Sequence, residues 1–252
     1  MRHTTPTYTE FSDPRLVAIY DTINPIDSYA SFYLELASQL AANTVIDIGC
    51  GTGLLTEKLA EHNPHIIGVE PSHLMLEGAR RRLQDKDVKW IEGTTWDLGE
   101  EHADLAIMTG HVAQFFLDDE SWHKALVSIC KALKPGGHIA FESRNPLVQP
   151  FTNWPTKAKP SQIMKTPLGS IEWWSENLTF DGHRAHYEIH YRFVDTGEEL
   201  VSKNELVFRS QKEITESLKN VGISVENVFG DWDRSSTDDE STEMIFVGKR
   251  ES

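Results

Sequence analysis

Basic residues are scarce in this sequence: 24 lysines and arginines stand against 39 aspartates and glutamates over 252 residues, a formal charge of −15. A chain that neutralises a phosphate backbone needs the opposite balance, so nucleic acid is not expected as a partner. The one dense basic cluster, Arg80, Arg81 and Arg82, falls in a stretch of helical pattern and reads as a solvated face. Cysteine is scarcer still, since Cys50 and Cys130 alone cannot build a disulfide framework. No apolar run reaches the length of a signal or membrane segment, so a cytoplasmic setting without a membrane is expected. His186, Glu188 and His190 alternate as metal ligands can, but no cysteine accompanies them and Arg184 and Arg192 flank them. No metal is expected there.

Two phosphate-binding signatures are also missing. A dinucleotide fingerprint would need glycine where Leu54 stands, and no lysine completes a P-loop. What the chain has instead is TVIDIGCGTG, Thr44 to Gly53: a β-branched apolar run, then glycine at every second position, then Leu54, Leu55, Leu59 and Ala60 at helical spacing. Strand, glycine loop and helix in that order form a crevice in which backbone approaches a ligand closely. Asp47 sits two residues before the first glycine, where a carboxylate opposes a pyrophosphate and suits a cationic amino group. A second apolar run, His65 to Val69, ends in Glu70, at the separation where such folds present an acid to ribose hydroxyls.

These residues resemble motif I of the class I S-adenosylmethionine-dependent methyltransferases, whose (D/E)xGxGxG loop is matched by Asp47, Gly49, Gly51 and Gly53. The resemblance extends over roughly residues 40 to 145. It implies S-adenosylmethionine as cofactor, S-adenosylhomocysteine as product and a small-molecule acceptor carrying an N, O or C nucleophile. It implies an α/β Rossmann-like fold, a seven-stranded, mostly parallel sheet with helices on both faces and an antiparallel last strand. An aminopropyl transferase, or a regulatory or scaffold protein that binds the cofactor without catalysis, would keep the same loop.

The remaining cofactor candidates follow from position. Tyr20 and Arg15 lie in an arm of residues 1–25, broken by Pro6, Pro14 and Pro25, with one short helix expected through Arg15 to Tyr20. The resemblance makes such an arm a cover for the methionine carboxylate. Cys50 contributes backbone within the loop; Pro71 and Ser72 start a helix after Glu70, with Met75, Ala79 and Leu83 as its buried stripe. In GTTWDL, Gly93 to Leu98, Thr94 stands where the family carries an acid for adenine, leaving Thr95, Trp96 and the displaced Asp97 as candidates. Thr109 and His111 follow the fourth strand, Ala103 to Met108, in the loop where the resemblance places the emerging methyl group. His111 is the catalytic candidate, as base or as positioner, with positioning favoured because proximity suffices for a neutral amine. Cys50 has no neighbouring base to activate it.

Three spans organise the chain: 1–146 with the arm and most of the cofactor domain, 147–209 as an insert, and 210–252 with the last helix and two strands. Helix 122–133 is expected to stop at Pro135, Gly136 and Gly137, with strand five at Ile139 to Ser143. The insert alternates over Ser170–Phe180, His183–Val194 and Leu200–Arg209, which predicts a three-stranded antiparallel sheet with Arg184, His186, Glu188, His190 and Arg192 on a solvated face. Its aromatic residues and its start at the carboxyl edge of the main sheet predict a substrate lid. Arg144, Trp173, Trp174, Tyr187 and Tyr191 are the acceptor candidates; the alternative use of such a sheet is a homodimer contact. Residues 230–243, rich in acids, read as a flexible loop.

Overall fold

Local signals place most elements before packing is considered. The computed structural model describes residues 8–148 and 150–251, so Pro6 of the expected arm lies outside the described residues. The arm forms two helices, α1 (Thr9–Ser12) and α2 (Pro14–Ile23), in place of the single one expected. Asp13 divides them: its side chain accepts from the Arg15 amide, and Pro14 opens the next helix where a missing N–H costs nothing. α3 (Ser28–Gln39) starts on Asp27 in the same manner and buries Phe32, Tyr33 and Leu36.

Alternation of strand and helix then builds the main sheet. β1 (Thr44–Ile48), β2 (His65–Glu70), β3 (Val88–Glu92), β4 (Ala103–Met108) and β5 (Leu133–Arg144) are parallel, joined through α4 (Leu54–Leu59), α5 (His73–Arg82) and α6 (Asp119–Ala132). After the insert come α7 (Gln211–Asn220), β10 (Ile223–Phe229) and β11 (Glu243–Arg250). The order is β10-β11-β5-β4-β1-β2-β3, with β11 antiparallel to both of its neighbours. Both faces are covered, which explains the continuous apolar runs. Ile46 and Ile48 join Trp122, Leu126 and Phe141 on one side, and Val45 joins Phe32, Tyr33 and Leu36 on the other. Pro135 to Gly137 do not form a separate loop. They lie inside β5, where the pairing with β4 jumps from Ala103↔Leu133 to Leu105↔His138 and so absorbs the proline.

The insert forms a separate antiparallel sheet of four strands, one more than expected: β6 (Met164–Thr166), β7 (Gly169–Phe180), β8 (Arg184–Phe193) and β9 (Glu199–Val207). β6 was hidden because three residues carry little alternation, and it exists by pairing Met164 with Ile171 across the turn before Gly169. One face packs Ile171, Tyr191 and Phe193 against Leu16 and Ile19 of α2. The opposite face is not uniformly solvated. His186 and Arg192 are exposed there, but His190 is buried because Trp174 stacks on it at 5.3 Å. The acidic stretch 230–243 is likewise tied down, with the Trp232 ring 5.9 Å from Phe32 and Asn145 Nδ2 donating to the Ser241 carbonyl. Among the described residues no helix is long and apolar enough to cross a membrane, and no group of three His, Cys, Asp or Glu is placed to hold a metal.

Candidate active site

The crevice lies at the carboxyl ends of β1 and β2. Gly49, Gly51 and Gly53 all have positive φ, and two of them also lack room: a Cβ at Gly49 would collide with Val112, and one at Gly53 would lie 3.0 Å from the Ala79 Cβ. The amides of Gly49 and Cys50 donate to the Val69 carbonyl at 2.8 and 3.1 Å, folding the loop onto β2. That brings the two predicted acids to one place. Glu70 accepts from the Gly51 amide at 3.1 Å and from the Ser72 amide at 2.8 Å. Asp47 is fully buried, accepts from the Thr56 hydroxyl at 2.6 Å through Oδ2, and has no partner for Oδ1 among the described residues. Burial pushes the Asp47 carboxyl up to about 6 and that of Glu70 up to about 7, and no described cation is paired with either. An orphaned acceptor beside a glycine cradle fits a ligand with an ammonium group, as the cofactor has.

Other candidates divide. Tyr20 packs edge-on to Phe11 at 5.9 Å, and burial together with the charges of Glu10 and Glu70 pushes its phenol well up. Arg15 is removed from the set: its guanidinium pairs with Asp13 and with Glu198 at 2.7 Å, and it stacks over Phe193 on the outside. Burial pushes the Cys50 thiol up, the wrong direction for a nucleophile. Thr95 is buried with an unpartnered hydroxyl and Trp96 is exposed beside it, whereas Asp97 is engaged as the reciprocal cap of Thr94 and is not a free acid. Pro71 is exposed and Thr109 half-buried. Met75 belongs to the core.

Arg82 is not on a solvated face. It pairs with Asp21, and its Nε donates to the Thr52 carbonyl at 3.0 Å; Thr52 Oγ1 donates to the same Asp21. Arm and glycine loop are thereby fastened together.

His111 has φ +62° at the end of β4, next to Gly110. Its amide donates to Glu142 at 2.7 Å, and its ring Nε2 lies 3.0 Å from Glu243. Glu142 is fully buried and accepts from the Tyr33 hydroxyl as well; burial pushes its carboxyl up. Glu243 escaped the sequence reading because it reaches His111 only through the pairing of β11 with β5, in which it stands opposite Arg144.

Residues 45–137 match the family model described as a methyltransferase domain. The chain carries a class I S-adenosylmethionine-dependent methyltransferase domain. Along nearly its whole length it is similar to a cypemycin N-terminal methyltransferase from Streptomyces, 26% identical over 247 residues that cover 95% of this chain and 97% of that protein. In fold it is similar to an S-adenosylmethionine-dependent methyltransferase from Clostridium acetobutylicum, with TM-score 0.78 at 16% identity, covering 94% of this chain and 98% of the other. A cofactor-bound amino pentose methyltransferase from Micromonospora echinaspora superposes with TM-score 0.67 at 19% identity, covering 92% and 96%.

Of the expected acceptor residues in this methyltransferase, Arg144 ends β5 of the main sheet and the other four fall on two faces of the inserted sheet. Tyr187 and Tyr191 are buried on the inner face, and Trp173 packs with the cluster formed by α2. Arg144 Nη1 donates to Gln114 Oε1 at 3.0 Å and lies 5.7 Å over the ring of Trp154, which meets Tyr187 at 4.9 Å. Trp174 does not belong with them. Being one residue on from Trp173, it points to the opposite face, where it stacks with His190 and Arg192. The sequence reading missed Glu10, Tyr8 and Phe115, which join this group only when the arm is docked.

Proposed function

We propose that the chain is a cytoplasmic enzyme that moves the methyl group of S-adenosylmethionine to a small-molecule acceptor and releases S-adenosylhomocysteine. The observation that carries this reading is the pairing of a buried Asp47, with an unpartnered oxygen, and Glu70 around one glycine loop. Asp47 takes the amino group and Glu70 the ribose hydroxyls; the loop from Gly49 through Cys50 and Gly51 to Gly53, with Pro71, supplies backbone. Thr95 and Trp96 flank the adenine, and Tyr20 closes the methionine end. The excess of acidic residues and the inserted sheet support a small acceptor over a nucleic acid.

When bound, the cofactor supplies an electrophilic methyl on a sulfonium whose charge disappears during transfer. The residues therefore need to align two reactants more than to stabilise new charge. His111, held by Glu243 through its ring and by Glu142 through its amide, acts as a positioner beside Thr109. The inserted sheet, with Arg144 below it, governs acceptor choice. Two measurements test the reading. Calorimetry should show S-adenosylhomocysteine binding, and labelled S-adenosylmethionine incubated with a metabolite extract should pass its methyl to a small molecule. Binding without any transfer would favour a regulatory or scaffold role.

A further inference from the structure

Glu10 is a buried carboxylate that the methyl-transfer reading leaves unused. It sits in α1 with 9% of its surface exposed, and its Oε2 accepts from the Tyr191 hydroxyl at 2.8 Å. Among the described residues no other side chain bonds to it and no cation is paired with it. Its surroundings are aromatic. Tyr8, Tyr20 and Tyr187 all feel its charge, Phe115 packs against Tyr8 at 5.2 Å, and Phe11 against Tyr20 at 5.9 Å. Burying an acid with one neutral donor is unfavourable, and burial pushes its carboxyl up to about 7.

Its position indicates which ligand. Tyr20 lies within the electrostatic reach of both Glu10 and the cofactor acid Glu70, and Phe115 follows His111 by four residues in the loop where the methyl emerges. Phe11 also packs against Phe115 at 5.9 Å, so the arm that carries Glu10 meets that loop directly. A carboxylate ringed by aromatic faces attracts a cation twice, by charge-assisted hydrogen bonding and by the π surfaces. We propose that this aromatic-ringed carboxylate binds the acceptor through a cationic amino group held at Glu10. The proposal rests on the methyltransferase reading and names the acceptor class: amine-bearing compounds whose ammonium group stays on Glu10 while a separate, unprotonated nucleophile takes the methyl, with Glu10 and Tyr191 as positioning residues.

The test uses the full chain saturated with S-adenosylhomocysteine and a matched pair of probes, benzylamine and benzyl alcohol, followed by ligand-observed nuclear magnetic resonance. Benzylamine should bind at least about tenfold more tightly than the alcohol. Equal binding, or no binding of benzylamine, overturns the proposal. In parallel, a metabolite extract is split on a cation exchanger and each fraction is offered with labelled S-adenosylmethionine. Label should appear in products from the retained fraction, and Glu10→Gln should raise the KM for that acceptor on the order of thirtyfold while leaving S-adenosylhomocysteine affinity unchanged. Transfer confined to the unretained fraction overturns the inference and leaves the methyltransferase reading standing. Failure of the wild-type chain to bind S-adenosylhomocysteine would instead remove that reading.

Discussion

The acids around the glycine loop owe their character to burial, and substitution reads that directly. Asp47→Ala and Glu70→Ala should each weaken S-adenosylhomocysteine binding by about 1 to 3 kcal/mol, because each strips a charged or multiply bonded ligand group of its partner. Calorimetry returning wild-type affinity for both would remove the motif assignment. At His111 the distinction is between aligning the reactants and taking a proton. Glu243 holds the ring at 3.0 Å, so both His111→Ala and Glu243→Gln should lower kcat by less than the hundredfold typical of losing a base, with the pH profile unchanged. A larger loss that imidazole restores would make His111 a base. Asp47, Glu70 and the glycines are legible in the sequence because strand, loop and helix follow one another locally. Glu10 and Glu243 are not, since one arrives with a docked arm and the other with an antiparallel strand 132 residues further along than His111.

Among the elements, the inserted sheet separates its two faces most sharply. Trp154 and Trp174 are both tryptophans of the insert, yet one meets Tyr187 and Arg144 while the other is 3% exposed on the far side. Trp154→Ala should raise the acceptor KM while cofactor affinity and solution mass stay constant. Trp174→Ala should instead cost about 3 kcal/mol of stability with KM unaffected, which urea titration and kinetics together will resolve. If both variants shift oligomeric state and neither shifts KM, the sheet is a dimer contact. The alternation in β7 and β8 was readable as period-two pattern, and in β8 the polar residues marked the outer face; in β7 the inner face was not readable, because adjacent Trp173 and Trp174 put an aromatic ring on each side. β6 was unreadable for its shortness.

Taken as a whole molecule, the protein concentrates raised carboxyl groups at one end. Glu10, Asp47 and Glu70 all titrate above the ordinary range, Glu10 and Glu70 at about 7 and Asp47 at about 6. Between about pH 4 and those values the native state holds protons that the unfolded chain has lost, so their contribution to stability is fully present below about pH 4 and is lost as pH rises toward about 7.5. The ligand-free Tm should therefore fall across that window, and Glu10→Gln should flatten the fall; a rise across it in the wild type would contradict the burial of these acids. By itself the sequence determined the parallel α/β sheet, the glycine loop with its two acids and the presence of a strand-rich insert, since each rests on short-range periodicity and on glycines that tolerate positive φ. Only the tertiary structure decided that the arm brings Glu10 to Tyr191, that Arg82 fastens Asp21 to the loop, and that Arg15 and Trp174 face away. Those outcomes depend on how separate elements pack, and contacts between residues far apart in the chain leave no periodic trace in it.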